Sequence, residues 1–458
     1  MMNPEMAIDG KSKVGLTIYA TLCASIVAVL LLTNWPTYHF AIRGGPIPLV
    51  YFVLPGLFII PVIFAEPASL VRFLKDPLFW WFVIYTFTGA IWLLVSQDFI
   101  DDANRMWRLR VLELYFFFTI TLLVSDARRR FLAFVIVGCV LLAIAGNWVD
   151  VMRPGRFIPE GIEGGHPGRG AGTFVNPNAA ATFIVMGTIA TLPFVPMRFR
   201  GMLLVAALVG VAPTLSRSGF LLVAVAFLGA MVLGLLNRMQ SVIVLVAIPL
   251  LVAATSVYYD TLIVSSDAIN LDSNVNRLRW FEGEEDGSSI ERRSVAAKTR
   301  DMFLEEPLIG HGIGATRLPE MGAGPHNMYL TLMAEQGITG FALYVSLIVV
   351  MYRRGRRLAK QAATREGQDI GNAMAVYALF LAAYGWFSHN VLEEAPGAFI
   401  IAFLAAIAYR SVRTEYAAQY VRQAPPRPKW RTPAPAAQAA DRPGLAVAQQ
   451  RKDAHEPT

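Results

Sequence analysis

Four side chains in this sequence combine a type and a setting suited to chemistry on a charged substrate: Arg217, Arg292, Arg293 and His326. Arg217 stands in Leu215-Ser216-Arg217-Ser218-Gly219, a tight connection between two apolar stretches. An arginine at that depth snorkels, pairs or binds an anion. A guanidinium holds phosphate oxygens in a planar fork, and Ser216 and Ser218 add hydroxyl donors. Arg292 and Arg293 sit on a charged amphipathic helix with a narrow apolar stripe of Val295, Met302 and Phe303, ended by Glu305-Glu306-Pro307. One of the two suits a solvated face and the other a phosphate. His326 immediately precedes an apolar helix expected to begin at Asn327. There the helix dipole lowers the imidazole pKa and favours the neutral form that a general base needs. The plainer reading is a capping or core histidine.

Other candidates are weaker. His311, between Gly310 and Gly312, is either a rival base or an exposed turn residue. His166 and His389 follow, the latter in Ser388-His389-Asn390. Asn178, in Asn176-Pro177-Asn178, reads first as a helix N-cap and second as a substrate contact. Glu393, beside Glu394 at the end of a span, either orients an arginine or histidine or simply sits at the interface. No His, Cys, Asp or Glu set has metal-ligand spacing, and Asp101-Asp102 is a loose acidic run, so a reaction without metal or other cofactor is expected.

The elements that must hold these residues are membrane helices. Of 458 residues, 55% are hydrophobic and 16% charged, and the mean hydropathy is +0.48. Apolar runs of bilayer length recur along the chain, which predicts an all-α polytopic membrane protein with about twelve spans of roughly 20 residues. They are expected near 14–33, 47–65, 78–96, 109–124, 131–151, 179–197, 201–215, 219–236, 241–259, 327–351, 372–391 and 396–411. Residues 1–259 would then carry nine spans, 260–326 a long exterior loop with the Arg292 helix, 327–411 three more spans, and 412–458 a tail. If every span crosses, Lys11/Lys13, Arg72/Lys75, Arg128–Arg130, Arg198/Arg200, Arg238 and the run Arg353 to Lys360 share one side. The positive-inside rule makes that side cytoplasmic, with both termini, and puts the candidate residues outside. The exterior loop is itself rich in arginine, Arg277 and Arg279 included. No cleaved signal peptide is expected. Cys23 and Cys139 lie in apolar runs and read as packing residues, while the net charge of +7 falls mostly in short loops and is no nucleic-acid signal. After about Gln423 the chain is rich in Pro, Ala and Gln and reads as disordered.

An ordered series of short motifs resembles a known family. It runs Gly172-Thr173-Phe174, Asn176-Pro177-Asn178, Ser216-Arg217-Ser218-Gly219, an arginine about fifteen residues before Pro307, Pro307-Leu308-Ile309-Gly310-x-Gly312, Pro325-His326-Asn327-x-Tyr329-Leu330 and Glu335-x-Gly337-Ile338-x-Gly340. The series is similar to that of the O-antigen ligases, the Wzy-C-type membrane glycosyltransferases, over roughly residues 170–410. The resemblance implies a fold similar to GT-C-type enzymes. It also implies a polyprenyl (undecaprenyl) diphosphate-linked glycan as donor, a lipid A-core saccharide as acceptor, and reaction at the periplasmic face of the bacterial inner membrane. It carries functional arginines onto Arg217 and Arg292 and the loop histidine onto His326. Arg292 is preferred to Arg293 by its distance from Pro307 alone. Val295-Ala296 stands where many relatives have an aromatic residue.

On this reading the arginines neutralise charge growing on the diphosphate leaving group while His326 deprotonates the acceptor hydroxyl, with inversion at the anomeric carbon. O-antigen polymerase and protein O-oligosaccharyltransferase use the same donor and stay open beside the ligase. A lipid or glycan transporter is the alternative of another class, disfavoured because polar residues crowd one face rather than the mid-membrane.

Overall fold

The computed structural model describes residues 4–159, 168–263, 287–321 and 324–423. The disordered tail expected beyond Gln423, and Arg277, Arg279 and His166, lie outside the described residues.

All the described regular structure is helical. In chain order it comprises α1 (Pro4–Leu32), α2 (Trp35–Arg43), α3 (Pro48–Phe52), α4 (Leu54–Ala65), α5 (Pro67–Phe73), α6 (Pro77–Trp92), α7 (Ile100–Asp126) and α8 (Arg129–Met152). There follow α9 (Pro177–Thr191), α10 (Met197–Val211), α11 (Arg217–Val232), α12 (Arg238–Ile263), α13 (Gly287–Glu305), α14 (Met328–Gln361), α15 (Arg365–Tyr384) and α16 (Ala395–Gln423), with short 3₁₀ turns between them. Helices are the natural solution for such apolar sequence, because in lipid each backbone N–H and C=O must be satisfied within the segment.

The chain is a polytopic helical membrane protein. Six described helices are long and apolar enough to cross a bilayer, or seven if the pair Pro77–Trp92 and Gln97–Asp126, bent by 94°, counts as one span. Three shorter apolar helices, Arg217–Val232, Arg238–Leu251 and Ala395–Tyr409, add to these. The count of about twelve is therefore not reproduced. Length and bending are the main reasons: the spans expected at 219–236, 241–259 and 396–411 fall on the three shorter helices, those at 78–96 and 109–124 form the bent pair, and α15 opens with Arg365, Glu366 and Asp369. Helix α15 is nevertheless buried along most of its length, packed on α14, α11 and α9.

The helix ends opposite the site are tied by ion pairs. Arg200 meets Asp369 at 2.6 Å with both side chains buried, Arg129 meets Glu366 at 2.7 Å, and Arg354 meets Asp76 at 2.5 Å. Removing one partner of a buried pair such as Arg200–Asp369 leaves an uncompensated charge and costs about 3–5 kcal/mol.

One packing relationship explains two of the sequence motifs together. Gly337 interrupts α14 with φ 61° and ψ −153°. The segment Pro307–Gly312 lies in that interruption: Ile338 N donates to Pro307 O at 2.9 Å, His311 N to Ala334 O at 2.8 Å and Gly312 N to Glu335 O at 3.0 Å. A Cβ on Gly337 would stand 2.4 Å from the Leu308 carbonyl, so both the left-handed conformation and the close approach demand glycine.

Candidate active site

Three helices begin at one cavity. The N-caps of α9, α11 and α14 are Asn176, Ser216 and Asn327, whose side chains accept from Asn178 N at 2.8 Å, Gly219 N at 3.2 Å and Leu330 N at 3.1 Å. The residue before each cap is left-handed although none is glycine: Val175 at φ 64°, Leu215 at φ 49° and His326 at φ 47°. Such conformations cost roughly 1–3 kcal/mol each and recur at functional sites. Here they turn the chain sharply so that each helix starts at the cavity wall.

The cavity holds about 410 Å³ and is lined by Arg169, Asn178, Arg217, Ser218, Arg292, Arg293, His326 and Asn327, with Leu215, Leu221, Ala296, Pro325, Trp386 and Phe387. Four arginines thus share a wall with three helix N-termini, and no Asp or Glu is among the described lining residues. Backbone N–H groups and guanidinium groups together make an environment for an anion. The apolar side includes Trp386, 63% exposed, with Phe387 and Leu221 also open to the outside.

Arg217, Arg292, Arg293, His326 and Asn178, separated by up to 148 residues in sequence, therefore come together in one place. Asn178 does so in a different role from the expected one. Asn176 is the cap, two residues earlier, because Pro177 occupies the first helical position where its missing N–H costs nothing. The Asn178 side chain accepts instead from Arg169 Nη2 at 3.2 Å. The His326 helix starts at Met328 rather than Asn327, with Asn327 as its cap.

His326 has a pKa below the usual histidine value, first because burial disfavours the imidazolium and second because Arg292 lies nearby, with Glu291 opposing. The neutral imidazole expected from its place at a helix start is thus favoured by its surroundings. Its ring meets that of His389 edge to face, with centroids 5.1 Å apart.

Two expected site residues do not line this cavity. His311 is turned away: Nε2 meets the Met302 carbonyl at 2.8 Å and Glu305 at 3.7 Å, which ties the glycine turn to the end of α13. Glu393 is ion-paired to Arg317 and borders a small neighbouring cavity of about 20 Å³, with His389, Glu335 and Arg110. It orients an arginine, but that arginine is not one of the four.

Arg169 was not among the residues the sequence singled out. It is buried, donates through Nε to Thr214 O at 2.8 Å, and so joins the segment before α9 to the turn before α11. Its loop is held by Asp150, whose Oδ2 accepts from Ala171 N at 2.9 Å and Gly172 N at 3.1 Å. The available signal was an arginine in a glycine run, Gly168-Arg169-Gly170, next to the Gly172-Thr173-Phe174 motif.

Residues 202–345 match a family model, Wzy_C, described as O-Antigen ligase. The match takes in Arg217, Arg292, Arg293, the Pro307–Gly312 turn, His326 and Gly337. Among curated proteins no match is found.

Proposed function

We propose that this chain, a member of the O-antigen ligase family, transfers a glycan from undecaprenyl diphosphate to a lipid A-core acceptor. The observation that carries the reading is the single cavity where Arg169, Arg217, Arg292 and Arg293 face His326 at three helix starts.

The donor's diphosphate is both handle and leaving group. Arg217, at the first position of α11, adds its charge to the N-terminal dipole of that helix. Arg292 approaches from α13, close enough to influence His326. As the anomeric C–O bond breaks, negative charge grows on the departing diphosphate and the guanidinium contacts strengthen, which lowers the barrier rather than merely improving binding. His326, kept neutral, takes the proton from the acceptor hydroxyl as that oxygen attacks the anomeric carbon. The new glycosidic bond forms as the bond to the diphosphate breaks, so the anomeric configuration inverts. The exposed Trp386, Phe387 and Leu221 give the polyprenyl chain an apolar exit beside the phosphates. On the positive-inside reading, the cavity faces the periplasm of the inner membrane and both termini are cytoplasmic.

The test is transfer in proteoliposomes, with undecaprenyl diphosphate-linked glycan and lipid A-core as sole substrates, no ATP, and EDTA present. Glycan on lipid A-core is expected. Longer lipid-linked glycan with unmodified lipid A-core would replace the ligase by a polymerase. Transfer only to a protein serine or threonine would replace it by a protein O-oligosaccharyltransferase, and donor movement across the bilayer without turnover by a transporter.

A further inference from the structure

His389 stands in the connector between α15 and α16, the segment that also supplies Trp386 and Phe387 to the cavity wall. It does not itself line the main cavity, and it borders the small one behind it. Its ring backs His326 edge to face at 5.1 Å between centroids. Its Nδ1 is buried and has no hydrogen-bond partner among the described residues. Buried polar atoms are rarely left so, and each one calls for a reason.

The surroundings hold this imidazole in place. A Cβ on Gly324 would lie 3.1 Å from His389 Cε1 and 3.2 Å from Nε2, so the chain two residues before His326 closes on the nitrogen edge of His389. Arg317 lies near it and is itself fixed by Glu393 and by Asn390 Oδ1 at 3.4 Å. Burial, then Arg317, then His326 push the His389 pKa down to about 3. The neutral ring is therefore the favoured form, and a neutral imidazole carries one acceptor nitrogen.

We propose that His389 is the positioning residue for His326: it backs the His326 ring and presents an acceptor nitrogen to the ring N–H of the imidazolium formed during transfer. The centroid separation lets two ring nitrogens meet at hydrogen-bond length when the His326 ring rotates against the fixed His389 ring. The arrangement directs the opposite nitrogen of His326 toward the acceptor hydroxyl and steadies the charged ring, as the buried partner of a catalytic histidine does in hydrolases. Because His389 is neutral and Arg317 is balanced by Glu393, the partner adds no net charge beside the four arginines. The charged groups facing His326 are Arg292 and Glu291 on α13, with Arg169, Arg217 and Arg293 around the same cavity. This inference rests on the reading of His326 as the base.

The experiment measures kcat, donor KM and the pH profile of transfer in proteoliposomes for the wild type, His389→Phe, His389→Ala, Gly324→Ala and His326→Ala. His389→Phe keeps the aromatic wall and loses the acceptor. Its kcat is expected to fall about tenfold or more with donor KM unchanged. Its acid limb should move to lower pH by roughly half a unit or more, because the imidazolium has lost a partner. His389→Ala admits water and relieves the burial of His326, so its acid limb should move to higher pH. Gly324→Ala, which crowds the His389 nitrogens, should lower kcat with KM retained. Retained donor KM shows that each variant is folded. Wild-type kcat and pH profile in His389→Phe, with His326→Ala inactive, would overturn this inference alone. Full activity in His326→Ala would overturn the base assignment and the inference with it. Equal losses in both His389 variants with no movement of the acid limb would reduce His389 to packing and also overturn it.

Discussion

Arg169 donates through Nη2 to Asn178 Oδ1 at 3.2 Å and through Nε to the Thr214 carbonyl at 2.8 Å, so one buried guanidinium joins the starts of α9 and α11. It therefore sets the spacing of two of the three helix ends that meet at the cavity. Arg169→Ala should lower kcat/KM by about tenfold to a hundredfold, and Arg169→Lys should recover little, because an ammonium cannot serve both acceptors as a planar fork does. Steady-state transfer kinetics check this. Asn178→Ala should cost less than either.

Arg217 and Arg292 are expected to act on the leaving group. Arg217→Ala should lower kcat by about a hundredfold or more, comparable to the loss of one oxyanion donor at about 3 kcal/mol. Arg292→Ala should resemble it, and Arg293→Ala, which removes another guanidinium from the same cavity wall, should lower kcat less, by about threefold to tenfold. A larger loss in Arg293→Ala than in Arg292→Ala would exchange their roles.

The pH dependence follows from His326. Its pKa is lowered from 6.5 by burial and then by Arg292. A base is active when deprotonated, so the acid limb of kcat/KM should lie below 6.5. Arg292→Gln removes a neighbouring positive charge, raises the His326 pKa and should move that limb toward higher pH. Rate measurements from pH 4 to 8 decide the sign.

Much of this site was legible in the sequence because its parts announce themselves locally. Arginine between two apolar helices, histidine before an apolar helix and glycine at sharp turns are each unusual, and Arg217, His326 and Asn178 did converge. What was not legible depends on distance across the fold. Arg169 becomes significant only because its loop folds against Thr214, and His389 only because the connector after Tyr384 returns beside His326. His311 and Glu393 have site-like composition but face the Met302 carbonyl and Arg317. The span count differed because hydropathy along the chain does not report where helices break: three expected spans are shorter helices, and two form one pair bent by 94°.

The Gly337 interruption gives a stability test. An added methyl must clear the Leu308 carbonyl at 2.4 Å and sit at φ 61°. Gly337→Ala should cost about 1–3 kcal/mol or more, read as a lower thermal midpoint of the detergent-purified protein. Gly138→Ala, inside α8 where a Cβ meets nothing within 4 Å, is the control and should leave the midpoint unchanged or raise it, since alanine is the better helix former.

The most direct measurement is a single-turnover comparison of wild type and His326→Ala, with donor affinity measured on the same samples. Donor affinity should stay within about threefold of wild type while the transfer rate falls by about a hundredfold or more, since a general base contributes that much to the step and little to binding the diphosphate. Near-normal transfer by His326→Ala, with glycan still reaching lipid A-core, would contradict the assignment of His326 as the base.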